Sequence, residues 1–165
     1  MQLAIRGRVV GSDPCTRARG AHRGGHDEAI RFFVDGLGFE LSEDSPSKTN
    51  EGRPKRWVVV KPPGARAGLL LARADGDQQT DATGSQFADR VGLFLRVDDF
   101  DSMMWRMLDH GVAFVTEPRD EPYGRLAVFL DVAGNRWDLL GPPVSRVRTL
   151  TSAFVIGRSP GIGNS

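Results

Sequence analysis

Between residues 26 and 142 the apolar positions switch repeatedly between a spacing of about 3.6 and a spacing of 2, and each switch marks an element. Ala29, Ile30, Phe33 and Val34 recur at helical spacing, which predicts a helix over 28–36, capped by Asp27 and ended by Gly36 and Gly38. FELSED (39–44) then reads as a strand and SPSKTNEGRPK (45–55) as a polar loop. RWVVVK (56–61) is a β-branched strand, PPGARA (62–67) a turn and GLLLARA (68–74) a further strand. Residues 75–89, rich in Asp, Gln, Thr and Gly, read as a linker.

The same order then returns. VGLFLRV (91–97) is a strand, and Asp98 or Asp99 caps a helix over 100–110 with Met103, Met104, Met107 and Leu108 as its apolar positions. Gly111 stops that helix; VAFVTEP (112–118) reads as a strand, RDEPYG as a loop, RLAVFLD (125–131) as a strand, VAGN as a turn and RWDLLG (136–141) as the last strand. The helix stops at Gly38 and Gly111 lie 73 residues apart, and RWVVVK and RLAVFL 69 apart. One repeat of this length points to a duplicated βαβββ unit rather than a solenoid. The expected organisation is a first module over 26–74, the linker 75–89 and a second module over 90–142. The first module has no strand directly before its helix, where RARGAHRGG stands. Either QLAIRGRVV (2–10) supplies it across an inserted loop, or the chain upstream of His26 carries a start-site or frame anomaly.

Charge divides the chain in the same way. Residues 1–25 hold five Arg and one Asp, and residues 143–165 hold three Arg and no acid, so with a net charge of +1 the body over 26–142 carries −6. An acidic body, with no aromatics interleaved among the terminal arginines, argues against a nucleic-acid partner. Residues 11–25 and the tail from 143 onward are poor in apolar residues and read as irregular. No apolar run approaches the ~20 residues of a membrane span, the N-terminus lacks the apolar run of a signal peptide, and Cys15 is the single cysteine. The expectation is a cytoplasmic protein without disulfides.

Several segments resemble the vicinal oxygen chelate superfamily of glyoxalases, bleomycin-resistance proteins and extradiol dioxygenases. They are HDEAIRFFVDGLGFEL (26–41), RWVVVKPPG (56–64) with GLLLARA, VGLFLRVDDFD (91–101) and EPYGRLAVFLDVAGNRWDLLGP (121–142). The resemblance implies an α+β fold in which paired βαβββ modules form a curved mixed sheet around a cleft, commonly completed by a homodimer. It also implies a small-molecule ligand and, in the enzymes, a divalent metal held by His and Glu.

The metal shell does not carry over. Asp138 matches the closing-strand acid, one methylene shorter than the usual Glu; the opening-strand position falls near Gly92 or Leu93, and the matching place in GLLLARA holds Leu. One carboxylate does not make a transition-metal site. No metal or other cofactor is therefore expected, a divalent metal being retained only for the enzymatic alternative. His22, His26 and His110 show no HxH or HxxxH spacing and read as loop, capping and helix-end residues.

Alternation predicts that Leu93, Leu95 and Val97, with Leu126, Val128 and Leu130, pack on the helices, and that the mixed faces line the cleft. The cleft candidates are Arg96, Tyr123, Arg125, Phe129 and Asp138. Asp138 is read as an internal ion-pair partner of Arg96 or Arg125, or as a ligand or base; Tyr123 as a turn residue with a hydroxyl to offer. No catalytic residue is assigned. The favoured function is metal-independent small-molecule binding. The alternatives are a metal-dependent lyase or dioxygenase, and a non-catalytic interaction module acting through the basic ends.

Overall fold

The computed structural model describes residues 25–143. The expected strand at 2–10 and the tail from 144 onward lie outside the described residues. The first helix, α1 (His26–Arg31), runs on into a π-helical turn over Phe32–Gly36, closed by the Leu37 N–H donating to the Phe32 carbonyl at 3.2 Å. Strands β1 (Glu40–Lys48), β2 (Pro54–Lys61) and β3 (Leu69–Leu71) follow. A short α2 (Asp77–Ala82) interrupts the expected linker. The second module holds β4 (Val91–Arg96), α3 (Phe100–Asp109), β5 (Arg119–Glu121), β6 (Gly124–Leu130) and β7 (Arg136–Leu140).

The first sheet has the order β1-β2-β3, all antiparallel; the second has the order β4-β7-β6-β5, with β4 parallel to β7. From the helix onward the two modules share an element order, β4 having no counterpart among the described residues, and both sheets lay one face on a common core. Phe33, Leu37 and Phe39 meet Val60, Leu95, Phe100, Met107, Val112, Ala127, Phe129, Trp137 and Leu139 there. Trp137 is the hub: Phe33 lies 6.0 Å from its ring, and Phe129 stacks on it at 5.8 Å.

Two polar devices fix this frame. The Asp131 carboxylate accepts from the backbone N–H groups of Ala133 and Asn135, from Asn135 Nδ2 and from Trp137 Nε1, so it shapes the β6–β7 turn and orients the hub indole. Arg106 on α3 donates to the carbonyl of Asp35 and to that of Val34, which also accepts from the Gly38 N–H, and so joins the end of the first helix to the second module.

Four expectations change. Asp27 does not cap α1; Gly25 stands at the cap without a side-chain bond, and Asp27 instead pairs with Arg56, which also forks onto Asp44. Asp99 does cap α3, accepting from the Ser102 N–H at 3.0 Å. β1 extends into the expected loop as far as Lys48. VAFVTEP makes only a bridge, Phe114 to Phe129, and the strand beside β6 forms from Arg119–Glu121 inside the segment expected to loop.

Candidate functional site

Cross-strand partners point to the same face of a sheet. In the second sheet, Ala127 opposes Leu139, and Phe129 opposes Trp137; all four belong to the core. The other face therefore carries Phe94 and Val128, both paired with Asp138, together with Arg96 and Leu126, both paired with Leu140, and Arg119. Phe94 is 63% exposed, whereas Leu126, Val128 and Leu140 are buried. Asp138 thus stands between an exposed ring and a buried aliphatic floor. Partial burial pushes its carboxyl above the ordinary value of 3.8, and Arg119 opposes that rise only in part.

This reverses one expectation. Ala127 and Phe129, placed on the cleft by alternation, face the helices, and Phe129 is fully buried. Arg125 shares their side: it bonds Asp101 on α3 at 3.0 Å and lies over the Phe100 ring at 5.1 Å. It is not a partner of Asp138, and neither is Arg96; no ion pair of Asp138 within 4 Å occurs among the described residues. Tyr123 sits in the β5–β6 turn and is exposed. Of the five nominated residues, the structure brings Arg96 and Asp138 onto one face and puts Phe129 and Arg125 on the opposite side, with Tyr123 exposed in the turn. Phe94 and Val128 belong to the face but were not nominated. The signal for Phe94 was its parity with Arg96 in β4; for Val128 no pattern could decide, because β6 is apolar on both sides.

The first sheet has an equivalent face. Val58 and Val60 are fully buried, so Lys55, Trp57 and Val59 point the other way, with Leu70 opposite Val59. The Lys55 ammonium lies 5.5 Å from the Trp57 ring. A cavity of about 1010 Å³ opens on this face, walled by Trp57, Leu70, Ala72, Lys55, Arg53 and Arg73. By strand register, Leu70 holds the place that Asp138 holds in the second module. The carboxylate therefore belongs to one module only. Among the described residues no group of three or more His, Cys, Asp or Glu side chains is placed to hold a metal ion, so a His and Glu shell does not fit them. No helix among them is long and apolar enough to cross a membrane.

Residues 22–139 match the family described as the Glyoxalase/Bleomycin resistance protein/Dioxygenase superfamily. The chain is 48% identical over 116 residues, 70% of its length, to an uncharacterized protein of Shewanella frigidimarina (strain NCIMB 400), of which the match covers 84%. Among solved structures it is similar to TnmS3, described as an antibiotic binding protein from Streptomyces sp. CB03234. The identity is 32% and the TM-score 0.55, over 72% of this chain and 88% of that one. A glyoxalase/bleomycin resistance protein from the same Streptomyces strain is 31% identical with a TM-score of 0.53, over 71% of this chain and 91% of the other.

Proposed function

Because the chain belongs to the glyoxalase/bleomycin resistance protein/dioxygenase superfamily, we propose that it holds a small organic molecule non-covalently on the Phe94–Asp138 face, without metal chemistry. The observation that carries this reading is the exposed Phe94 ring directly opposite a partly buried carboxylate. A large exposed aromatic beside aliphatic floor residues offers a stacking surface for a flat, apolar ligand. Asp138 offers an acceptor for a hydroxyl or amine on that ligand, and such a bond would offset its desolvation. Arg96 and Arg119 give the rim a positive charge. The similarity to an antibiotic binding protein supports a ligand of antibiotic size.

One face alone encloses no ligand of that size. A homodimer would lay the Trp57–Leu70 wall of one protomer over the Phe94–Asp138 face of its partner, and this pairing is part of the proposal. A lyase or dioxygenase reading has no comparable observation in its favour, since Asp138 belongs to no group of three or more potential metal ligands among the described residues.

The test is a calorimetric titration of the full chain, in a chelator, with a panel of polycyclic aromatic antibiotics. At least one should bind with a micromolar or tighter Kd. Phe94→Ala should weaken it about tenfold or more, equivalent to ~1.4 kcal/mol. Unchanged affinity in both Phe94→Ala and Asp138→Asn would remove the ligand from this face.

A further inference from the structure

The stretch between α2 and β4, expected as a linker, is a run of tight turns seated on the second sheet. The Ser85 N–H donates to the Ala82 carbonyl at 3.1 Å, that of Ala88 to Ser85 at 3.0 Å and that of Arg90 to Phe87 at 3.0 Å. Ala88 and Asp89 hold positive φ angles of 49° and 61°, a conformation that a residue with a Cβ keeps only where its surroundings impose it. Two glycines show those surroundings. Gly84, at φ +78°, lies so close to the β6–β7 turn that a methyl group there would collide with the Ala133 carbonyl oxygen. On Gly92 of β4, a methyl group would collide at once with Cγ, Cδ1 and Cε1 of the Phe87 ring. The ring therefore lies face down on the strand and takes the place that a side chain at position 92 would fill.

The pairing of β4 with β7 slips by one residue between Val91 and Leu93, so Gly92 sits at a bulge. Leu93 packs on the core, and Phe94, opposite Asp138, lies on the other side. Phe87 stays 36% exposed, which puts its ring on the outer side with Phe94 rather than in the core. Positions 92 and 94 are about 7 Å apart along a strand. One face of the Phe87 ring rests on Gly92, and the other is open. We propose that Phe87 is the second aromatic contact of the ligand face, and that it selects extended fused-ring ligands over short ones. The proposal rests on the reading that a ligand binds at Phe94 and Asp138. A molecule held there reaches Phe87 only if its flat part spans the gap between the two rings. The strained turn fixes the ring before any ligand arrives, so stacking on it orders little that is not ordered already. Gly92 is what permits this arrangement, since any side chain there would lift the ring away.

Two measurements on the full chain decide it. The first is a fluorescence titration, in a chelator, with 1-hydroxypyrene, an extended flat phenol, and with 2-naphthol, a shorter one. Phe94→Ala should weaken both. Phe87→Ala should weaken 1-hydroxypyrene about fivefold and leave 2-naphthol unchanged. Gly92→Ala should reproduce that selective loss, and combining it with Phe87→Ala should add nothing. The second measurement needs no ligand and uses the unaltered sequence, so it stands even where Gly92→Ala does not fold. One Gly92 Hα resonance should lie upfield of ordinary glycine values, beneath the Phe87 ring, and return to them in Phe87→Ala. An ordinary Gly92 Hα shift in the unaltered chain overturns the proposal. So does a Phe87→Ala variant that binds both phenols normally, or weakens both equally, while Phe94→Ala still weakens them; the ligand face then stands without Phe87. Absence of saturable 1-hydroxypyrene binding, or binding indifferent to Phe94→Ala, overturns the ligand face itself and the proposal with it.

Discussion

The strands β3 and β7 close their modules in the same way, yet they live in different surroundings. β7 lies between β4 and β6, and it buries Trp137 and Leu139 completely or nearly so. β3 is three residues long, has one neighbour among the described residues and leaves Leu70 45% exposed. Alternation alone makes both segments strands; the second neighbour decides which becomes a pillar of the core. The same register also distinguishes the modules: Asp138 and Leu70 are equivalent positions, so the second module carries an acid where the first carries an apolar side chain.

The largest test of this contrast is truncation of equivalent residues. Trp137→Ala should cost about 3–5 kcal/mol, because it removes the hub of a closed core. Its counterpart Leu69→Ala, in a half-buried site, should cost no more than about 2 kcal/mol. Urea unfolding of the two variants measures the difference, and equal losses would show that β3 is as closed as β7. Next comes the turn. Asp131→Ala removes four accepted hydrogen bonds and should cost about 2–3 kcal/mol by the same measurement. Arg106→Ala, which cuts the tie from α3 to the carbonyls of Val34 and Asp35, should cost about 1–2 kcal/mol. Its effect should fall on the junction between modules, seen as faster hydrogen exchange over residues 32–37.

The smallest effect separates Asp138 from Leu70 electrostatically. The folded-state pKa of Asp138 is raised, so folding favours its neutral form. The penalty is absent below the ordinary value of 3.8 and is fully present once the pH exceeds the raised folded value. Asp138→Asn should therefore raise Tm slightly near pH 7 and lose that advantage as pH falls toward 3.8. A Tm gain that persists unchanged at low pH would point to packing rather than charge.

Most of the fold was legible because its helices and strands differ in period. The duplicated order of elements, the Asp99 cap and the Gly111 stop all follow from local chemistry that the chain states directly. The faces of β6 were not legible. Leu126 and Val128 on one side and Ala127 and Phe129 on the other are all buried, so alternation carries no information about which side meets the helices. Placing Phe129 and Arg125 in the cleft was the consequence. The strand beside β6 was missed for a different reason. Arg119, Asp120 and Glu121 have poor β propensity and form a strand only because β6 offers a ladder, a tertiary effect that no window of sequence contains. That Asp138 and Arg96 share a face was legible from parity in β7 and β4, where one side is plainly more polar.

The central claim is that a small molecule binds on the Phe94–Asp138 face of the second sheet without a metal. It is tested most directly by amide chemical-shift mapping of the full, isotope-labelled chain, titrated in excess chelator with the antibiotic that binds best. The account predicts saturable shifts clustered on Phe94, Arg96, Val128 and Asp138, and from the first module on Trp57 and Leu70. Shifts confined to other surfaces, or appearing only when a divalent metal replaces the chelator, would contradict it.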